Sequence, residues 1–174
     1  VSPGTLHIEG DWSHAAFYLV AGAIGRGEIR LTGLDPQSAQ GDRAMVEILR
    51  DMGAEIRWEG ETLVSRASKL HGLRVDCAQV PDLVPILAVA MAAAEGESRI
   101  TGAARLRIKE SDRLSAMAAA LTAAGADVSE LPDGLIIRGG KRLHAAKIEG
   151  CNDHRIVMAM TMASEIADGE LTIT

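Results

Sequence analysis

The sequence predicts an α/β (α+β) fold, an inside-out barrel of repeated βαβαββ units about a pseudo-threefold axis, with helices inside and sheets outside. Three observations carry that prediction. The stretch Gly27-Glu28-Ile29-Arg30-Leu31-Thr32-Gly33 returns as Gly96-Glu97-Ser98-Arg99-Ile100-Thr101-Gly102 and again, cut short, as Gly169-Glu170-Leu171-Thr172-Ile173-Thr174. Asp11, Asp82 and Asp153 stand at predicted helix starts, 71 residues apart each time. Aromatic residues make up only 2% of the chain, so the core must be built from Ala, Leu, Ile, Val and seven Met, which suits helices packed closely against sheets. A unit of this size cannot cover both faces of its own sheet, and packing like faces about a common axis solves that problem.

The elements follow from periodicity and from turn chemistry. Thr5–Glu9 alternates like a strand, and Trp12–Ile24 reads as an Ala-rich helix ended by Gly25 and Gly27. Glu28–Leu31 is a strand closed at Gly33, and Asp42–Met52 is a helix stopped by Gly53. Ala54–Trp58 and Thr62–Ser65 form a hairpin, completing a first unit over residues 1–70. The second unit, residues 71–143, repeats the pattern: strand Leu73–Val75, a helix from Pro81-Asp82 to Ala94, strand Glu97–Thr101, a helix from Ser111 to Ala124, and a hairpin of Asp127–Ser129 with Leu135–Arg138. Gly125-Ala126-Asp127-Val128 matches Gly53-Ala54-Glu55-Ile56. A third unit, residues 144–174, runs from strand Ala146–Ile148 through a helix to Ala167 and strand Glu170–Ile173, where another helix and hairpin are due. The expectation is therefore a domain whose last unit is truncated.

Composition narrows the function. A net charge of −6 argues against a general nucleic-acid or membrane-surface partner, so any anion site must be a local cluster. Scarce aromatics argue against a single-stranded nucleic-acid platform. Cys77 and Cys151 have no CxxC spacing, and the five His make no metal-ligand pair at helical spacing; neither a metal nor a disulfide framework is expected, and the compartment read is the cytoplasm. The apolar run Leu83–Ala94 is too short to cross a bilayer.

The local cluster is Arg105-Leu106-Arg107-Ile108-Lys109-Glu110-Ser111-Asp112-Arg113, which precedes an apolar run with Leu114, Met117, Ala118 and Leu121 on one helical face. Such a stretch enters a helix N-terminus, where unpaired N–H groups favour anions. Lys109 and Arg113, four apart, are expected on one side of the first turn, with Glu110 between them to carry a proton. The same composition also describes a solvated cap with weak surface pairs. Threefold geometry favours the site: equivalent helix starts emerge at one end, so Asp82 and Arg155 are expected to share a surface that the charged stretch also reaches. His154 is a possible further proton carrier, and Gln40-Gly41-Asp42 reads as a turn and cap.

Ile108-Lys109-Glu110-Ser111-Asp112-Arg113-Leu114, Asn152-Asp153-His154-Arg155, Val80-Pro81-Asp82, Gln40-Gly41-Asp42 and Glu9-Gly10-Asp11, in this order over nearly the whole chain, resemble the 3-phosphoshikimate 1-carboxyvinyltransferase (EPSP synthase) family, the shikimate-pathway transferases inhibited by glyphosate. The resemblance implies two inside-out domains that close over phosphoenolpyruvate and shikimate 3-phosphate, with this chain most of the C-terminal one. It implies that the N-terminal domain and the last part of this one lie outside the sequence, and that no metal or organic cofactor takes part. By motif, Asp82 matches the proton acceptor at the substrate 5-hydroxyl, and Lys109 matches a shikimate 3-phosphate ligand. Arg113 and Arg155 match the arginines that grip phosphoenolpyruvate, and Glu110 matches the carboxylate near its methylene carbon. Arg105 stands where some members carry an Asn that touches the shikimate substrate, and His14 where many carry a second Ser. The alternatives are a UDP-N-acetylglucosamine enolpyruvyl transferase-like domain, an RNA 3′-phosphate cyclase relative, or a non-catalytic binding domain. The Lys-Glu-Ser-Asp-Arg stretch favours the shikimate enzyme. With half the cleft outside the chain, the polypeptide alone is expected to turn over nothing.

Overall fold

A computed structural model describes residues 4, 5 and 8–174 of the chain. The strand expected at Thr5–Glu9 includes Leu6 and His7, which lie outside the described residues; Thr5, Ile8 and Glu9 are in no strand. The first helix, α1 (Trp12–Ile24), begins where Asp11 accepts a hydrogen bond from the Ser13 amide and ends where the Gly25 amide donates to Ala21. Strand β1 (Glu28–Leu31) follows, then α2 (Met45–Asp51), β2 (Glu55–Glu59) and β3 (Thr62–Arg66). The second unit holds β4 (Arg74–Asp76), α3 (Val84–Ala93), β5 (Gly96–Thr101), α4 (Arg113–Ala123), β6 (Asp127–Leu131) and β7 (Gly134–Gly139). The third holds β8 (Leu143–Ile148), α5 (His154–Ala163) and β9 (Ala167–Ile173).

The sheets carry the repeat in their topology. Strand order is β1-β3-β2 in one sheet, β4-β5-β7-β6 in the next and β8-β9 in the third. In the first two sheets the last strand of the hairpin, β3 or β7, inserts between its hairpin partner and β1 or β5, antiparallel on both sides. The parallel pair β4–β5 has its counterpart in the parallel pair β8–β9. Helix ends repeat as well. Gly53 and Gly125 both take positive φ, and in each case the next residue's amide donates back five positions, Ala54 to Leu49 and Ala126 to Leu121. This is the Schellman stop that a left-handed glycine permits.

The core lies between the sheets, where α1, α3 and α5 touch one another. Nine consecutive residues of α3, Val84 to Ala92, are buried, so this helix presents no solvated face. Each large apolar side chain buried there contributes on the order of 1.5–3 kcal/mol. Small residues allow the close approach: a side chain added at Gly22 in α1 would meet Ser65 Cβ and O at 2.8 Å.

Three helix starts depart from expectation, the second and third for a local cause. The helix predicted at Asp42–Met52 is a 3-10 turn, Gly41–Ala44, leading into α2. Pro81–Leu83 is likewise a 3-10 turn before α3, whose second residue, Pro85, needs no amide partner there. The helix expected from Ser111 starts at Arg113, because Asp112 caps it by accepting from the Ser115 amide at 3.1 Å. Lys109 is therefore not on the first turn with Arg113. It follows a 3-10 turn, Ala104–Ile108, with extended backbone.

Candidate active site

Three segments converge, two from the second unit and one from the third. The 3-10 turn before α3 holds Asp82; the bend between Ile108 and α4 holds Lys109, Glu110 and Ser111; the first turn of α5 holds Arg155, with Asp153 as its cap. Consecutive left-handed residues Cys151 and Asn152 (φ 53° and 51°) turn the chain sharply, and the Asp153 amide donates to the Gly150 carbonyl at 3.0 Å. Few non-glycine side chains adopt that conformation. The turn delivers Asp153 to two tasks at once, capping α5 through the Arg155 amide and facing Arg113.

Arg113 is the centre of the cluster. Its side chain is only 1% exposed and meets three carboxylates. Nε donates to Asp153 Oδ2 at 2.7 Å and Nη2 to Asp153 Oδ1 at 3.3 Å. Nη1 donates to Asp82 Oδ1 at 3.0 Å, and Nη2 also to Glu110 Oε2 at 2.6 Å. The Asp153 side chain is itself 0% exposed and accepts from the Ser111 hydroxyl at 3.0 Å. Burial pushes the Asp153 carboxyl up, but the Arg113 guanidinium, the Arg155 amide and Ser111 together hold it below the usual carboxylate range.

Asp82 is partly open and faces three cations. Arg113 Nη1 lies at 3.0 Å, Lys109 Nζ at 3.5 Å and Arg155 Nη2 at 4.0 Å. The Asp82 and Arg155 side chains thus stand side by side. Arg155 Nη1 donates to the Asp82 carbonyl at 3.4 Å, and Nη2 donates to Ser13 Oγ at 3.1 Å. Asp42 sits in the same field: burial, then the negative charge of Asp82, push its carboxyl above the ordinary value, and Arg155 opposes them. Beside Asp82 opens a cavity of about 370 Å³ lined by Pro81, Asp82, Arg105, Ile108 and Lys109. Arg105 is tethered there by a hydrogen bond from Nη2 to the Ala78 carbonyl at 3.0 Å.

His154 lines a different hollow, of about 710 Å³, with Glu149, Asn152, Asp153 and Val157, whose lining has no Lys or Arg. The larger hollow therefore lacks the counter-charge that an anion needs, whereas Arg105 and Lys109 line the smaller one. Among the described residues no group of three or more His, Cys, Asp and Glu side chains could hold a metal ion. The structure brings together Asp82, Lys109, Glu110, Arg113 and Arg155, with Arg105 at the cavity wall and His154 outside it. Sequence reasoning missed the buried role of Asp153 and the contributions of Ser111, Ser13 and Asp42. Of these, only the helix-start spacing of Asp153 carried any signal.

A sequence model of EPSP synthase (3-phosphoshikimate 1-carboxyvinyltransferase) matches residues 1–174, the whole chain. The chain belongs to the EPSP synthase family. A curated 3-phosphoshikimate 1-carboxyvinyltransferase of Ruminiclostridium cellulolyticum is 45% identical over 166 residues, 95% of this chain and 39% of the relative. One from Halobacterium salinarum is 45% identical over 172 residues, 95% of this chain and 40% of the relative. The chain thus spans about two fifths of the length of the family members it matches. The EPSP synthase structure from Acinetobacter baumannii superposes with a TM-score of 0.82 at 34% identity, over 95% of this chain and 42% of that one. The enolpyruvyl transferase NikO from Streptomyces tendae superposes at 0.71 with 18% identity, over 95% of this chain and 39% of that one, and shares the fold. The mixed α/β architecture with internal helices is therefore that of the EPSP synthase family.

Proposed function

We propose that this chain forms one wall of the cleft in which the carboxyvinyl group of phosphoenolpyruvate passes to the 5-hydroxyl of shikimate 3-phosphate, with release of phosphate. The observation that carries the reading is the meeting of one partly open carboxylate, Asp82, with three cations from two separate segments beside a cavity. Cations oriented in advance stabilise the charge of an anionic substrate and of its transition state. In this reading Glu110 delivers a proton to C3 of phosphoenolpyruvate, which makes C2 electrophilic. The 5-hydroxyl oxygen bonds to C2 while its proton passes to Asp82. Phosphate then leaves the tetrahedral intermediate, and loss of a C3 proton restores the double bond. Lys109 and Arg105 face the shikimate 3-phosphate side, and Arg155 and the edge of Arg113 face phosphoenolpyruvate. His154, outside the cavity, takes no step.

A complementary domain supplies the opposite wall and most shikimate 3-phosphate contacts, and the chain alone turns over nothing. In this reading the enzyme is cytoplasmic, where a reducing environment keeps Cys77 and Cys151 as free thiols; among the described residues no helix is long and apolar enough to cross a membrane. The test is phosphate release from the two substrates by the chain, alone and with the rest of a relative added, its N-terminal domain together with the closing part of its C-terminal one. Release only in the combined sample is expected. Release by the chain alone, or none in a combined sample shown to have associated, would refute the proposal.

A further inference from the structure

Ser13 is a buried hydroxyl that ties the first unit to the site. It lies in the first turn of α1, 8% exposed, and its amide is already taken by Asp11 at 2.8 Å. Its Oγ accepts a hydrogen bond from Arg155 Nη2 at 3.1 Å, a contact between residues 142 positions apart. This is the shortest contact of the Arg155 guanidinium among the described residues. The Asp82 carbonyl is at 3.4 Å and the Asp82 carboxylate at 4.0 Å. Arg155 is only 11% exposed, so its head has little room to be steered by water.

The distances describe a balance. Arg155 and Asp82 carry opposite charges on neighbouring elements, and at 4.0 Å they are one small side-chain movement from a direct hydrogen bond. Closing that gap would occupy the cation and the carboxylate with each other. Lys109 and Arg113 already pair with Asp82, and Asp42 is close enough to Arg155 to feel its positive charge. Among the described residues Ser13 is the only uncharged side chain that accepts from the Arg155 guanidinium.

We propose that Ser13 is a positioning residue: its hydroxyl holds the Arg155 guanidinium off the Asp82 carboxylate, leaving the cation for an incoming anion and the carboxylate for a proton. The inference deepens the enolpyruvyl-transfer reading and rests on it for the identity of the anion, phosphoenolpyruvate. The contact itself stands on geometry alone. All three units then serve one site, the first through a serine that touches no substrate.

Two measurements test this, and they fail separately. In the chain as it stands, arginine side-chain 15N–1H spectra, with Arg155 identified through Arg155→Lys, report rotation of its Nη groups. Ser13→Ala should speed that rotation and move the Arg155 signals, and Ser13→Thr, which keeps the hydroxyl, should restore them. Signals unchanged in Ser13→Ala would overturn the proposal. In the chain completed with the N-terminal domain and the closing C-terminal part of a relative, Ser13→Ala should raise the KM for phosphoenolpyruvate by about 10–100-fold, the size expected for losing a hydrogen bond to a charged group. The KM for shikimate 3-phosphate and kcat should stay within about threefold, again with rescue by threonine. Equal KM values in Ser13→Ala and the parent, or a loss confined to kcat, would overturn it. If the Arg155 signals respond as expected while no form depends on phosphoenolpyruvate, Ser13 keeps its positioning role and the enolpyruvyl reading falls.

Discussion

In an Asp153→Ala variant the guanidinium of Arg113 keeps its burial but loses the carboxylate that accepts from two of its nitrogens. Both side chains are essentially inaccessible to water, so no solvent reaches in to replace the lost partner. Removing one member of such a pair costs about 3–5 kcal/mol, because a buried charge is left uncompensated. Loss of the α5 cap would add about 1 kcal/mol. Asp82 and Glu110 still accept from Arg113, which pulls the total toward the lower end, to about 4 kcal/mol. At this chain length 1 kcal/mol moves Tm by about 2–4 °C, so a fall of about 8–16 °C is expected.

Urea unfolding at pH 7, paired with calorimetry, measures it, and pH adds a second signature. The folded-state pKa of Asp153 lies below its unfolded value, so its contribution is present above the unfolded carboxylate range and disappears as pH falls through the folded value. The gap between parent and variant should therefore be full at pH 7 and shrink below about pH 4. A loss under about 1 kcal/mol at pH 7, or a gap independent of pH, would refute the claim that this pair anchors the site.

Three further outcomes are expected. Glu110→Gln removes the exposed carboxylate, 52% accessible, that covers Arg113 Nη2, so phosphoenolpyruvate binding to the chain, followed by calorimetric titration, should tighten by about 3–10-fold even as turnover in the completed enzyme falls; weaker binding would count against Glu110 as a competing anion. Asp42→Asn should stabilise the fold, raising Tm by about 1–3 °C at neutral pH. The folded pKa of Asp42 is raised, so its charge costs stability above that value and nothing below the unfolded one, and the gain should vanish near pH 3. Arg66, which pairs with Glu28, Glu55 and Glu59 on the face of the first sheet, should on change to alanine lower the urea midpoint only slightly, and 1 M salt should largely erase the difference.

Local rules reached far into this fold. The bounds of Trp12–Ile24 and Glu28–Leu31 coincide with α1 and β1, because an Asp cap, paired glycines and a short alternating run leave the backbone few options. The Asp11, Asp82 and Asp153 spacing found three helix starts, and the sheets repeat their order with it. What stayed hidden was decided by competition or by distance. Lys109 looked helical until Asp112 took the cap, and the difference of two residues moved Lys109 from a helix face into an extended segment that reaches Asp82 by another route. Nothing near Arg113 in sequence signals that it is buried. A mixed-charge run ordinarily stays in water, and the carboxylate that accepts from Arg113 Nε is 40 residues away.

That burial separates two arginines that the sequence presents as equals. A guanidinium has five N–H donors. Four hydrogen bonds to carboxylates engage Arg113, on Nε, Nη1 and twice on Nη2. Among the described residues only two hydrogen bonds from the Arg155 guanidinium are made, both to uncharged oxygens. An anion arriving at Arg113 must displace a carboxylate, and Glu110 is the exposed one; an anion arriving at Arg155 meets open donors. Arg113 therefore serves chiefly to fix Asp82, Glu110 and Asp153 relative to one another. In the proposed reaction Arg155 carries the donors available for binding, which is why a serine holding its head in place matters more than the strength of one hydrogen bond suggests.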